Sequence, residues 1–210
     1  MRCVILANGE YGELAGYSDL FREGDIIICA DGGANYASRL GLMPACIIGD
    51  LDSIEPEIKE FYEACNVDLI KFPPQKDFTD IQASINLAYE LDPDEIVLLG
   101  TLGKRVDHTL ANLFLSIEPA NKGIQVSHFT PGCWVYIVKD NLEFTGNPGD
   151  LVSVLALTDQ ATGVSEAGFQ YIPTTPLLEK DKPYAVSNVL SGTVGKVKVS
   201  QGILAVFHYF

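Results

Sequence analysis

Through residue 130 the chain alternates short apolar runs with stretches of helical spacing. Residues 2–7, 25–30, 46–49, 68–72, 95–100 and 124–128 are apolar runs of strand length. Between them, 34–40, 56–65, 79–91 and 107–116 carry helical patterns. Ile58, Phe61 and Tyr62 share one side of the second, Ile81, Ile85 and Ala88 one side of the third, and Leu110, Leu113 and Phe114 are the apolar residues of the fourth. Thr79-Asp80-Ile81-Gln82 fits a capping box, in which a threonine and a glutamine three residues on satisfy orphan amides. Gly41 and Pro44 stop the first helix. Continuous apolar strands alternating with helices predict a mostly parallel sheet covered on both faces.

After about residue 130 the texture changes. Short strand candidates at 134–138, 142–145, 151–157, 161–166, 184–190, 193–200 and 203–209 are punctuated by Gly146, Gly149, Gly163, Gly168, Gly192, Gly195 and Gly202. This predicts an all-β sandwich. The expected fold class is therefore α/β over residues 1–130, with a mostly parallel sheet flanked by helices, followed by a β-sandwich domain over 131–210.

At 210 residues with 47% hydrophobic content, the chain can bury a core for one large or two small domains. A net charge of −14 argues against nucleic-acid or anionic-membrane partners, because a phosphate backbone would be repelled. It leaves room for a single nucleotide held with a metal. The five cysteines form no C-x-x-C pair and lie scattered, which suits buried thiols in a reducing cytoplasm. No apolar run reaches membrane-spanning length. Residues 1–7 read as a first strand and not as a signal peptide.

The polar clusters fall where an open parallel sheet binds ligands, beyond the carboxyl ends of the strands. Asp31 follows strand two, Asp50 and Asp52 follow strand three, Lys76, Asp77, Thr79 and Asp80 follow strand four, and the loop from Gly100 to Asp107 follows strand five. Asp-x-Asp alone is more often a polar loop or a helix cap. In extended backbone, however, Asp50 and Asp52 point the same way, and like charges held together call for a cation between them. Four acidic loops at one sheet edge favour a hard divalent cation such as Mg²⁺. Gly32-Gly33 at a helix start is either a cradle of backbone amides for an anion or a tight turn. Neither a P-loop nor a G-x-G-x-x-G is present, and Lys104-Arg105 is the only adjacent basic pair in this half.

Other chemistry-bearing residues have plainer readings. His108 reads as a structural hydrogen-bonder at a helix start, and His128 and His208 as structural residues on strands. Trp134 reads as core before ligand-stacking, and Cys29 and Cys46 as small buried hydrophobes.

Taken in order, four loops resemble the thiamine pyrophosphokinase (thiamin diphosphokinase) family. They are Asp31-Gly32-Gly33-Ala34-Asn35, Gly49-Asp50-Leu51-Asp52-Ser53, Lys76-Asp77-Phe78-Thr79-Asp80, and the run from Gly103 to Asn112 (Gly-Lys-Arg-Val-Asp-His-Thr-Leu-Ala-Asn). Gly168-Phe169-Gln170-Tyr171 and Ser187-Asn188 resemble that family's thiamine-side motifs. One departure is Lys104, where the family carries Gly-Gly-Arg. The resemblance implies a homodimer with sites at the interface, and transfer of pyrophosphate from ATP to thiamine, giving thiamine diphosphate and AMP. It implies Mg²⁺ on Asp50, Asp52 and Asp80. It places Asp31, Thr79, Arg105 and Asp107 in the substrate and phosphate site, and Tyr171, Ser187 and Asn188 on the thiamine side. Gly32, Gly33, Asn35, Lys76 and Lys104 complete the phosphate-side candidates.

In such a reaction Arg105 and Lys104 would assist the phosphate charge, and either Asp107 or Asp77 could accept the hydroxyl proton. Two other readings remain: transfer to another small alcohol such as a pterin or nucleoside, and a non-catalytic nucleotide sensor.

Overall fold

Five strands organise the first half: β1 (Arg2–Leu6), β2 (Ile26–Ala30), β3 (Cys46–Gly49), β4 (Asp68–Lys71) and β5 (Glu95–Leu99). All are parallel, in the order β5-β1-β2-β3-β4. β1 is buried at every position and β5 at four of five, as central strands require, while the edge strand β4 is only half covered. The computed structural model describes residues 1–73, 75, 77–103 and 105–210.

The crossovers are α1 (Gly33–Arg39), α2 (Pro56–Ala64), α3 (Asp80–Glu90) and α4 (Val106–Leu115). A fifth helix, α5 (Ile117–Asn121), was not legible in the sequence; it starts after Ser116 and carries Pro119 inside it. The predicted cap of α3 is present, with the Thr79 hydroxyl oxygen accepting from the Gln82 amide at 3.1 Å. β6 (Gln125–Thr130) lies beside β5.

Two compact units result: Met1–Asn112 with His128–Pro131, and Leu113–Ser127 with Gly132–Phe210. The second unit thus takes in residues before 131, beginning within α4.

The second unit contains β7 (Cys133–Val138), β8 (Asn141–Thr145), β9 (Leu151–Ala156), β10 (Gln160–Thr162), β11 (Ser165–Ala167), β12 (Leu177–Glu179), β13 (Asn188–Val189), β14 (Val194–Lys198) and β15 (Leu204–Tyr209). Antiparallel strands in the order β13-β9-β15-β7 form one layer, and β11-β14-β8 form another. Their inward residues share a core that includes Val138, Phe144, Val154, Val197 and Val206, so the expected sandwich is present. Three strand expectations need correction: the candidate over 161–166 is split by the bend at Gly163 into β10 and β11, which pair in different sheets. The candidate over 184–190 shrinks to Asn188–Val189, and β12 was not anticipated. Pro173, Pro176 and Pro183 interrupt this stretch, removing amide donors and hiding the alternation that marks a strand.

Candidate active site

Each parallel strand delivers its next residues to one edge of the first unit. Ala7 to Gly12 follow β1, Asp31 follows β2, Ser53 lies beyond β3, Thr79 and Asp80 beyond β4, and Gly100 to Gly103 follow β5. These segments line a cleft of about 1080 Å³, together with Tyr36, Arg39, Arg105, Asp107 and His108. The cleft is where a switch-point ligand in such a sheet is expected.

Beside it, Asp31, Asp50 and Asp52 bring carboxylate oxygens within 4.8 Å of one another. The sequence reading paired Asp50 and Asp52 with Asp80 and left Asp31 on the substrate side. Here Asp31 joins the pair directly, because β2 and β3 are neighbours and the Asp31 amide donates to the Ile48 carbonyl at 2.9 Å. Asp80 stands close by: a side-chain carbon on Gly49 would lie 3.3 Å from its Oδ1 and 3.0 Å from Cβ of Asp31. Glycine at 49 therefore leaves room for both acids.

Asp50 and Asp52 do not lie along one side of an extended strand. Leu51 adopts φ 65°, a left-handed conformation, so the backbone turns between them. Asp31 is also left-handed, at φ 47°. Such strained positions concentrate at functional sites, where the surrounding structure over-determines them.

Part of that over-determination comes from Asn35. It is buried on α1, its Nδ2 donates to the Ser53 carbonyl at 2.9 Å, and its Oδ1 accepts from the Glu55 amide at 3.0 Å. Asn35, a phosphate-side candidate by its motif, commits both ends of its amide to the loop after β3. Ser53 also donates its hydroxyl to Asp52 at 3.0 Å. Gly32 and Gly33 are set by packing. A Cβ at Gly33 would fall 2.0 Å from the Leu6 carbonyl oxygen, and one at Gly32 would meet the Asn8 side chain at 2.5 Å.

On the loop after β5, Arg105 forks Asp107, with Nε to Oδ1 at 3.2 Å and Nη2 to Oδ2 at 2.6 Å. Both side chains are exposed. The hydrogen bond from Arg105 holds the Asp107 carboxyl down at about 2. The base of this loop is buried and tied. Thr101 Oγ1 lies 2.7 Å from Nδ1 of His128, and Asn112 Nδ2 donates to the Thr101 carbonyl at 2.8 Å. Full burial pushes His128 down to about 3, so it stays neutral and structural at physiological pH. His108, set aside earlier, lines the cleft and is exposed. Asp77 is exposed and is not among the described residues of the cleft wall. Lys76 and Lys104 lie outside the described residues.

In the second unit the structure brings together the three thiamine-side candidates. Asn188 Nδ2 donates to the Tyr171 carbonyl at 2.6 Å and to Glu166 at 3.2 Å, while its Oδ1 accepts from the amides of Tyr171 at 3.1 Å and Val189 at 2.9 Å. Asn188 is thus a buried clamp. The residues it leaves available are Tyr171, 69% exposed, and the exposed Ser187 in a left-handed conformation at φ 58°. Trp134 is half-buried and stacked on Tyr136 at 5.7 Å. His208 is buried against Asp150 at 2.8 Å.

Residues 17–128 match the family model described as the thiamin pyrophosphokinase catalytic domain. The chain belongs to the thiamin pyrophosphokinase family. Among the family's members, the thiamine pyrophosphokinase of Bacillus subtilis (strain 168) is 25% identical over 201 residues, covering 91% of this chain and 89% of that protein. The Caenorhabditis elegans thiamin pyrophosphokinase 1 is 26% identical over 96% of this chain and 86% of its own length. The fold agrees with solved members. The Bacillus subtilis crystal structure superposes with a TM-score of 0.88 at 21% identity, over 100% of this chain and 99% of that one. The thiamin pyrophosphokinase from Candida albicans gives 0.81 at 18% identity, over 100% and 90%.

Sequence reasoning passed over Tyr11, Tyr36 and Arg39, all in the cleft wall. The i, i+3 spacing of Tyr36 and Arg39, which puts them on one helix face, was the available signal.

Proposed function

We infer that this protein transfers pyrophosphate from ATP to thiamine, giving thiamine diphosphate and AMP. Besides family membership, the observation that carries the reading is the convergence of Asp31, Asp50 and Asp52 within 4.8 Å, next to a cleft that also contains Arg105. Three carboxylates at this spacing are a donor set suited to a hard divalent cation, and Asp31, Asp50 and Asp52 would hold Mg²⁺, with Asp80 as the fourth acid of the rim. Bound there, the ion would supply neutralisation of charge on phosphate oxygens.

The chain's own groups do the rest. Arg105 grips the terminal phosphate, which is carried along with the β-phosphate as the transferred group. The thiamine hydroxyl oxygen bonds to the β-phosphorus, the bond from that phosphorus to the bridging α-oxygen breaks, and its electrons leave with AMP. The hydroxyl proton needs an acceptor. Asp107 is a weak base while Arg105 forks it, with its carboxyl held at about 2. A phosphate that draws Arg105 away would free Asp107 and strengthen it as a base; Asp77 is the alternative.

Thiamine would be recognised from the second unit by the Tyr171 ring and the Ser187 hydroxyl, the first positioned by Asn188 and the second by a hydrogen bond from the Ser187 amide to the Ser153 hydroxyl at 3.0 Å. We propose that these meet the acidic cleft across a homodimer. In support, Tyr171, Ile172, Tyr184 and Val186 expose 46–69% of their surface in the single chain, as do Val106 at 69% and Leu110 at 49% on α4. No helix among the described residues is long and apolar enough to cross a membrane. Four of five free cysteines are buried, with Cys46 pushed up by burial to about 11, and we assign the protein to the reducing cytoplasm.

The test is a chromatographic product assay with ATP, Mg²⁺ and thiamine. AMP and thiamine diphosphate are expected in equal amounts. ADP with thiamine monophosphate would mean γ-phosphoryl transfer and would overturn the reading. The dimer is tested by mixing an Asp52→Asn protein with a Tyr171→Ala, Ser187→Ala protein. Subunit exchange should restore part of the activity through hybrid sites; no recovery after demonstrated exchange would place each site within one chain.

A further inference from the structure

The second unit buries one carboxylate that the reaction above does not use. Glu166, the middle residue of β11, is 5% exposed. It sits opposite Val197 of β14, a member of the sandwich core, so its side chain points inward while Ser165 and Ala167 stay exposed. Its Oε2 accepts from Asn188 Nδ2 at 3.2 Å, and its Oε1 is buried without a hydrogen-bond partner among the described residues. No basic side chain among them neutralises it either. Lys196 and Lys198 flank Val197 but lie on the exposed face of β14, and Lys196 pairs with Glu143. Burial pushes the Glu166 carboxyl up, and the Asn188 hydrogen bond opposes that only in part.

A buried carboxylate without a cation weakens the core that holds it, so its presence calls for an explanation. Orienting Asn188 is not the explanation. That amide is already fixed at both ends, with Nδ2 on the Tyr171 carbonyl at 2.6 Å and Oδ1 accepting from the amides of Tyr171 and Val189 at 3.1 and 2.9 Å. A glutamine at 166 would also accept from Nδ2, and without burying a charge. What only the carboxylate supplies is the charge itself, and its place is fixed. One side chain, Asn188, separates it from the Tyr171 backbone, and Ser187 is the residue next to Asn188. The segment from β11 to Tyr171 is laced to the β13 segment by the Gln170 amide on the Val189 carbonyl and the Ser191 amide on the Gly168 carbonyl, both at 2.8 Å. Inside the sandwich the charge is weakly screened, and its field reaches the adjoining surface.

We propose that Glu166 is a buried counter-charge that makes the Tyr171–Ser187 surface select a cationic ring. The proposal rests on the transferase reading for the identity of that ring, the thiazolium of thiamine, which carries a permanent positive charge. The exposed Tyr171 ring offers the cation a π face, and Glu166 adds a charge complementarity that a neutral heterocycle does not gain. Because it acts across Asn188 and not by contact, Glu166 sets specificity and takes no part in the chemical step.

The experiment compares binding of thiamine with binding of its neutral thiophene isostere, in which carbon replaces the cationic ring nitrogen. Both are measured by calorimetry with Mg²⁺ and without ATP, in the parent protein, in Glu166→Gln and in Glu166→Leu. The parent should prefer thiamine. Glu166→Gln should weaken thiamine by about ten-fold and leave the isostere unchanged. Glu166→Leu should lose the same preference, and its urea midpoint should equal or exceed that of the parent, because an unneutralised charge leaves an apolar core. It carries the test if Glu166→Gln fails to fold.

Equal weakening of both ligands would mean that Glu166 only supports the Tyr171 segment, and would overturn the proposal. So would an unchanged preference for thiamine in both variants. A parent that binds neither ligand would overturn the transferase reading along with the proposal, whereas a parent that binds thiamine and variants that keep its preference would overturn the role of Glu166 alone.

Discussion

Asp52→Asn should lower turnover by roughly 100-fold or more while leaving the protein folded. The substitution keeps the shape of the side chain and removes one charge from the set in which Asp31, Asp50 and Asp52 lie within 4.8 Å of one another. Asp52 is exposed, and its carboxylate accepts from the adjacent Ser53 hydroxyl at 3.0 Å, a bond an amide oxygen can also accept. Little stability is therefore at stake, whereas three clustered acids are costly in the absence of a cation and effective in its presence. Steady-state kinetics across a Mg²⁺ titration is the measurement. Turnover near the parent value at ordinary Mg²⁺ would remove Asp52 from the metal set.

Gly33→Ala should destabilise the first unit by about 3 kcal/mol. The new methyl carbon would lie 2.0 Å from the carbonyl oxygen of Leu6. Leu6 cannot retreat, because β1 is buried along its whole length and paired with β2 on one side and β5 on the other. The helix cannot retreat cheaply either, because Asn35 on it holds the loop after β3. Against a total stability of roughly 5–15 kcal/mol, a loss of this size is large. Urea unfolding would report it as a lower midpoint with an unchanged slope. An unchanged midpoint would show that α1 has more room over β1 than its position here allows, and would revive the reading of Gly33 as a pure anion cradle.

Much of the site was legible because two local codes coincide in it. Apolar runs of strand length separated by helical periodicity specify a parallel α/β layer, and that topology sends every residue following a strand to the same edge. Asp31, Asp50, Asp80 and Arg105 are therefore grouped by the sequence alone. Asn35 and Asn188 show where that logic stops. Each sits in a motif-like run and reads as a polar ligand, yet each spends its amide on backbone groups distant in sequence, Ser53 and Glu55 in one case and Tyr171 in the other. A side chain's hydrogen-bond partners depend on which loops become neighbours, and one-dimensional spacing does not carry that.

By itself the sequence determined the order of the strands β1–β5 and the helices α1–α4, the change to a β-sandwich after about residue 130, the acidic edge and the family. These follow from periodicity and from ordered motifs, both of which are local. Only the tertiary structure decided that Asp31 joins Asp50 and Asp52, since that requires β2 beside β3 and left-handed turns at Asp31 and Leu51. It also decided that Gly33 is a contact with Leu6, that Arg105 holds Asp107, and that Tyr11, Tyr36 and Arg39 form one wall. Most of these juxtapose residues far apart in the chain, and all depend on how backbone and side chains are placed once the elements pack. Local propensities do not set that placement; burial of the apolar faces, which the whole fold decides together, does.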